Sequence, residues 1–365
     1  MREIQVDPTL LSEIRKYGRF DVNACYYCGS CSIICPLSKD AATFPRRTMR
    51  CAQVGAKSEL VGSLEPWLCY YCGDCSTTCP RQAEPGESMM TLRRYLTARY
   101  DWTGLSSKLF KSKIWEVAAL FVIGLAALLM MLFYVPSLAD LMKVGELFSI
   151  IAIISVGLFI FLPNAFRMYW FTMHKKDTKI PILLNMKAYI SKLWTLIPAL
   201  LQLRMRDCPK TTWLKHFLLA SGWALLLTSV VFLGWFDTAD NYPIYHPLRL
   251  LGYYAAGALI FFTAEALIGR VKKRQEMHKF SELSDWLFLI LLFMIALTAL
   301  ATHIFISVGF ETGAYYAHVF FLVVLISWAI VMVPFGKTTH IIYRPIAIYL
   351  QAVKESVLQK PREVK

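Results

Sequence analysis

From residue 113 onward the chain alternates between long apolar runs and short polar ones. Residues 117–139, 147–166 and 217–236 contain no charged side chain. Residues 250–269 contain only Glu265, residues 286–310 only His303 as a possible charge, and residues 312–336 only His318. About 20 apolar residues carry a helix across the hydrocarbon core of a bilayer. One such run fits a helix buried in a large soluble domain, whereas six predict a multi-pass bundle. The predicted spans are about 114–139, 147–170, 213–236, 249–269, 285–308 and 313–335. Residues 1–112 are polar and charged and form a separate N-terminal domain on this reading. The segment 178–210 is apolar but broken by Lys187, Lys192 and Pro198. It predicts helical pieces lying on the membrane interface. With it, the membrane domain covers residues 113–345. Residues 346–365 predict a short amphipathic helix with a charged end.

Composition agrees with this pattern: 56% of the 365 residues are hydrophobic, and mean hydropathy is +0.46. The net charge of +14 invites a nucleic-acid reading, but the distribution of charge points to lipid. Arg167, Lys175, Lys176 and Lys179 follow the second run, and Lys210 and Lys215 border the third. Arg270, Lys272, Lys273, Arg274 and Lys279 follow the fourth, and Lys337 and Arg344 the sixth. The alternate loops carry Asp237, Asp240 and Glu311 and little Lys or Arg. This is the positive-inside asymmetry. It predicts a cytoplasmic (inner) membrane protein with both termini and the N-terminal domain in the cytoplasm. Met1–Phe20 is charged and lacks an apolar core, so no signal peptide is expected.

The N-terminal domain carries one cysteine phrase twice. Residues 25–36 read CYYCGSCSIICP and residues 69–80 read CYYCGDCSTTCP, with nine of twelve positions alike. Each is a C-x2-C-x2-C-x3-C-P run, the spacing of proteins that hold two [4Fe–4S] clusters. In that pattern the fourth cysteine of each run serves the other cluster. The expected ligand sets are Cys25, Cys28, Cys31 and Cys79 for cluster 1, and Cys69, Cys72, Cys75 and Cys35 for cluster 2. Zinc sites usually close on two separated pairs, and disulfide frameworks belong to small secreted domains. Cys51 and Cys208 lack partners at ligand spacing and read as packed thiols.

Five of the seven histidines fall in or near the apolar runs, where an imidazole is costly and by default functional. Haem b held between histidines is the natural carrier to pair with the clusters. His216 and His340 lie at the cytoplasmic ends of their spans, and His318 and His303 toward the outer ends. His246 sits at the outer mouth of the fourth span. His318 and His340 are 22 residues apart, six turns plus about 40°, so one continuous helix would present both on one face. The expectation is two haems: an inner one on His216 and His340, and an outer one on His318 with His303, or with His246 as the alternative. His174 and His278 read as solvated side chains of basic loops. Glu265, Asp285 and Glu311 lie near helix ends and read as capping or snorkelling groups rather than proton carriers.

These motifs carry a resemblance. Residues 1–112, with PRRTMRCAQVG and EPWLCYYCGDC around the cysteine runs, resemble the C-type iron–sulfur subunit of heterodisulfide reductases. The membrane part, with PFGKTTH ending at His340, resembles the cytochrome b gamma subunit of respiratory nitrate reductases. That pattern has a second histidine ten residues after the position of His216, where this chain has Leu226. The fusion of the two parts is similar to the C-type subunit family of quinone-interacting membrane-bound oxidoreductases of sulfate reducers. The implied fold is mostly α: a two-[4Fe–4S] ferredoxin-like domain followed by a six-helix cytochrome b bundle. The resemblance also implies electron exchange between menaquinone and two flavin-bearing subunits like the flavoprotein of heterodisulfide reductases, toward adenylylsulfate reductase. The chain contains no G-x-G-x-x-G and no paired acid–base site. It is therefore expected to be an oxidoreductase subunit with no complete reaction of its own. The alternatives are an electron-input module of a heterodisulfide reductase-type enzyme and a haem-free membrane anchor.

Overall fold

A computed structural model of the chain describes residues 5–38, 44–175, 178–201, 210–231 and 245–358. The described residues are mostly helical, with a single two-residue antiparallel ladder pairing His174–Lys175 with Thr178–Lys179. In the N-terminal part, helices α1 (Ser30–Ile34) and α2 (Asp74–Thr77) each begin directly after a glycine in the left-handed region. Helix α3 (Pro85–Tyr100) follows the second cysteine run and is buried on nearly every face.

Among the described residues, six helices are long and apolar enough to cross a membrane: α4 (Lys113–Tyr134), α5 (Leu138–Met173), α6 (Lys210–Val231), α7 (Pro247–Val271), α8 (Leu283–Ser307) and α9 (Glu311–Ser327, continuing to Phe335). Their outward faces are apolar: Phe121, Phe159, Leu162 and Phe261 are all exposed. Such surface needs lipid or a partner to cover it. The chain is thus a multi-pass membrane protein.

Two span boundaries differ from the expected ones. The first span ends at Tyr134 rather than near 139, and the second starts at Leu138 rather than 147. Asp140, Lys143 and Glu146 interrupt the apolar pattern but not the helix, because Ser137 caps its start by accepting from the Asp140 amide. At 1.5 Å per residue the 36-residue α5 outreaches a bilayer core of about 30 Å. A π-helical segment, Val156–Phe161, lies within it.

The sixth span also departs from the sequence reading. A π-helical segment (Trp328–Met332) follows Ser327, and at Gly336 the backbone becomes extended. A short 3-10 turn (Lys337–Thr339) leads into α10 (His340–Leu358). His318 and His340 therefore do not share one continuous helix. The π segment and the break at Gly336 invalidate a face count based on 3.6 residues per turn.

The last helix is not a free tail, and it runs unbroken across position 345. It buries Tyr343, Ala347, Leu350 and Val353 in the same core as Leu10, Ile14, Phe20, Trp67, Tyr95 and Tyr100. Met168, Met173, Ile180 and Tyr189 join that core as well. The segment 182–201 leaves Leu183, Leu184, Trp194, Ile197 and Leu200 exposed, the apolar face that an interfacial segment presents. Residues 359–365 and Cys208 lie outside the described residues.

The N-terminal domain sits on the end of the bundle that carries the basic loops. Arg167 donates to the carbonyls of Tyr100 (2.8 Å) and Arg99 (3.1 Å). The Tyr71 hydroxyl reaches the Met277 carbonyl at 3.4 Å, and the Arg19 guanidinium lies 4.0 Å over the Phe280 ring.

Candidate functional site

The two cysteine runs fold as conformational copies. Tyr27 and Tyr71 take the left-handed conformation (φ 59° and 58°), as do Gly29 and Gly73 (φ 94° and 93°). A bulky residue in that region costs about 1–2 kcal/mol, and such outliers gather at functional sites. The turns aim amides at sulfur: the Tyr27 amide lies 3.4 Å from Cys25 Sγ and the Tyr71 amide 3.3 Å from Cys69 Sγ. Gly73 is also pressed against the membrane domain, since a Cβ there would meet Glu276 Cβ at 2.7 Å.

The eight cysteines of the two runs line two small hollows of equal volume, about 20 Å³ each. Cys25, Cys28, Cys31 and Cys79 line the first. Cys69, Cys72, Cys75 and Cys35 line the second. Each hollow therefore combines three cysteines of one run with the fourth of the other, the exchange expected from the spacing. None of the described cysteines forms a disulfide.

The thiols behave as a confined set. Burial pushes Cys35 up to about 11, helped by the nearby Cys69 and Cys72. Burial likewise raises Cys75, with Cys69, Cys72 and Cys35 adding to the effect. A cationic core would relieve that mutual repulsion and hold the thiolates. Among the described residues, no group of three or more His, Cys, Asp or Glu converges tightly enough to hold a single metal ion. A cubane needs a wider ring, because its four thiolates bind four different irons. Four thiols per hollow match the ligand count of one [4Fe–4S] cluster. Cys51, half-buried, packs against the domain core.

A cavity of about 290 Å³ lies between α6, α8 and α10. His216 and His340 both line it, together with Trp223, Phe288, Leu292, Trp328, Thr338 and Arg344. The two imidazoles are close enough that charge on His216 disfavours charge on His340. Burial, the larger cause, pushes His340 down to about 3, so it stays neutral across physiological pH. Its Nδ1 donates to the Lys337 carbonyl at 2.6 Å. That bond sets the ring and leaves Nε2 as the ligating nitrogen. Trp328 Nε1 and Thr338 Oγ1 are buried without a hydrogen-bond partner among the described residues, which marks the cavity as shaped for a ligand with acceptors. Neutral imidazoles, apolar walls and orphaned donors fit a haem held by His216 and His340.

The structure does not bring His318 or His303 to this cavity. His303 Nε2 and the Tyr253 hydroxyl share a 2.9 Å hydrogen bond, so ligation through Nε2 would require breaking it. His318 is buried, with its ring 5.5 Å from Phe321. His246 caps α7, accepting from the Leu248 amide. Leu226 is buried in the bundle core. His174 is half-buried and stacked on Trp170 at 4.4 Å, and His278 packs over Gly269. Neither loop histidine is fully solvated.

A buried ion network joins the two halves, and the sequence reading missed it. Arg94 on α3 lies 2.8 Å from Asp285 and 3.4 Å from Glu87. Lys337 reaches Asp285 at 2.8 Å, and the Tyr71 hydroxyl donates to Glu87. Burial pushes the Glu87 carboxyl up to about 7 against the pull of Arg94. Asp285 does cap its helix, in a reciprocal box with Glu282, but it is also the hub of this network. Glu265 pairs with Lys215, and Glu311 is exposed in the first turn of α9. The available signal was the Arg93-Arg94 pair inside an otherwise weakly charged helix.

No family model matches the chain, and no curated protein or solved structure matches it.

Proposed function

We propose that this chain is the membrane component of a respiratory complex, with both termini in the cytoplasm. On this reading it moves electrons between menaquinone in the membrane and flavin-bearing cytoplasmic subunits, toward adenylylsulfate reductase. The observation that carries the proposal is the partition of eight cysteines into two four-cysteine hollows, each completed by the other run. Bound there and between His216 and His340, two [4Fe–4S] clusters and a haem b would supply one-electron chemistry.

The chain's own residues do the remaining work. Cys25, Cys28, Cys31 and Cys79 hold one position, and Cys35, Cys69, Cys72 and Cys75 the other. The Tyr27 and Tyr71 amides lie on the sulfurs and tune them. The Lys337 carbonyl orients His340, and Trp223, Phe288 and Leu292 give the cavity apolar walls. The Arg94–Asp285–Lys337 network fixes the cysteine domain on the bundle. A ferredoxin-like relation between the two runs, and a second haem on His318, belong to the same proposal.

The test is one preparation of the intact complex. Dithionite reduction should produce b-type haem bands, and analysis should find about eight irons per chain beyond haem iron. Haem bands should then appear on adding a menaquinol analogue. A preparation without haem bands would leave a haem-free anchor, and one without cluster iron would remove the proposal altogether.

A further inference from the structure

The two hollows are not equivalent toward the membrane. Arg344 lies one turn after His340 on α10, and both line the His216/His340 cavity. Its guanidinium lies 5.0 Å over the ring of Tyr70. Tyr70 follows Cys69 directly and lines the second hollow with Cys35, Cys69, Cys72 and Cys75. Arg93 reinforces the same junction. It donates to the carbonyls of Cys69 and, at 3.3 Å, Trp67. It is also near enough to Arg344 and His340 for its charge to act on both. The second hollow further abuts the loop after α7, through Tyr71 on Met277 and Gly73 on Glu276.

The first hollow faces away. The linings of both hollows stay within the N-terminal domain, ending at Pro85 and Met89, so the asymmetry lies in the contacts behind them. Tyr26, which lines the first hollow, is 69% exposed, and the neighbouring Ile33 is 88% exposed. Arg81, whose guanidinium lies 4.2 Å over the Tyr26 ring, belongs to this hollow.

We propose that the Cys35/Cys69/Cys72/Cys75 site is the inner relay, coupled to the His216/His340 cavity through Tyr70 and Arg344, and that the Cys25/Cys28/Cys31/Cys79 site is the outer relay facing the partner subunits. This order rests on the proposed function and adds a direction in space to it. The chemistry is a one-electron transfer in each step: one site loses the electron that the next gains. Arg344 acts as a positioning residue, and its positive charge favours the reduced, more negative state of the groups beside it, the inner site and the His216/His340 cavity, but not of the outer site.

The test is a redox titration of the full complex followed by electron paramagnetic resonance. Cys72→Ser and Cys28→Ser first assign the two signals, since each alters one cluster. Arg344→Gln should then weaken electron uptake by the Cys72-assigned signal about three- to tenfold. A tenfold loss is a downward shift of 59 mV for one electron. The Cys28-assigned signal should not move. Arg81→Gln is the reciprocal variant and should shift the Cys28-assigned signal alone, which keeps the order testable if Arg344→Gln does not assemble. A shift of the Cys28-assigned signal in Arg344→Gln, a shift of neither signal, or a shift of the Cys72-assigned signal in Arg81→Gln overturns the order. A wild-type complex with no cluster signal overturns the functional proposal itself, so the two failures are distinct.

Discussion

Asp285→Asn tests the junction between the cysteine domain and the bundle. Asp285 sits 2.8 Å from both Arg94 and Lys337, with only 4% of its side chain exposed. Removing one member of a buried ion pair costs about 3–5 kcal/mol, mostly because its partner is left uncompensated. Two features reduce that cost here. Lys337 is 32% exposed and turns to water, while Glu87, 3.4 Å from Arg94, ionises more readily to replace the lost charge. The expected cost is therefore at the lower end, about 3 kcal/mol. It should appear as a hundredfold or larger rise in the opening of the interface, since 1.4 kcal/mol is about tenfold. Amide hydrogen exchange of the purified complex reads that opening directly. Protection should fall in Pro85–Tyr100 and at the start of Leu283–Ser307, while the far ends of the spans stay unchanged. Arg94→Leu should cost a similar amount, and the double variant should cost at least about 1 kcal/mol less than the sum, as coupled neighbours do. Additive effects, or exchange within threefold of wild type, would show that the network contributes nothing to docking.

Glu87 gives a pH test. Its carboxyl is raised to about 7, so the folded state binds the proton more tightly than the unfolded chain. Its contribution is full below about pH 4.5 and is lost as pH rises through 7. An infrared band of a protonated carboxyl should titrate near pH 7 and lose intensity in Glu87→Gln, a variant that should be no less stable than wild type at pH 8. Cys79→Ser should perturb the same cluster signal as Cys28→Ser, and Cys35→Ser the same as Cys72→Ser. Pairing within each run instead would refute the exchanged ligand sets. His216→Ala and His340→Ala should each abolish one haem b absorbance, whereas His303→Ala should leave that haem intact. Retention of full haem content in His340→Ala would place the haem elsewhere. Gly73→Ala should weaken docking by about 1–3 kcal/mol, through strain at φ 93° and collision with Glu276, read in the same exchange experiment.

The parts legible in the sequence were those set by short-range rules. Apolar runs locate all six spans, because length and the absence of charge suffice. The duplicated cysteine phrase specifies which cysteines share a hollow, because ligand spacing is a local constraint. The depths assigned to His216 and His340 bring them to one cavity. What failed depended on contacts between distant elements. A helical face count could not detect the π segment at Trp328 or the break at Gly336. Asp140 and Lys143 looked like a loop, although a serine cap carries the helix through them. Asp285 read as a cap, because its second partner, Arg94, lies 191 residues away. Tyr27 and Tyr71 carry a left-handed backbone that no propensity assigns to tyrosine. Its only trace in the sequence is the identity of CYYCG in both runs.

The shared core has a consequence for how the chain is made. Residues 10–100 provide most of the packing around the cysteine runs, yet Tyr343, Ala347, Leu350 and Val353 complete it. Those four leave the ribosome roughly 250 residues after Tyr100, about 13–50 s later at 5–20 residues per second. The cysteine domain thus completes its core only after the spans between residues 113 and 335 have been made, so its folding waits on theirs.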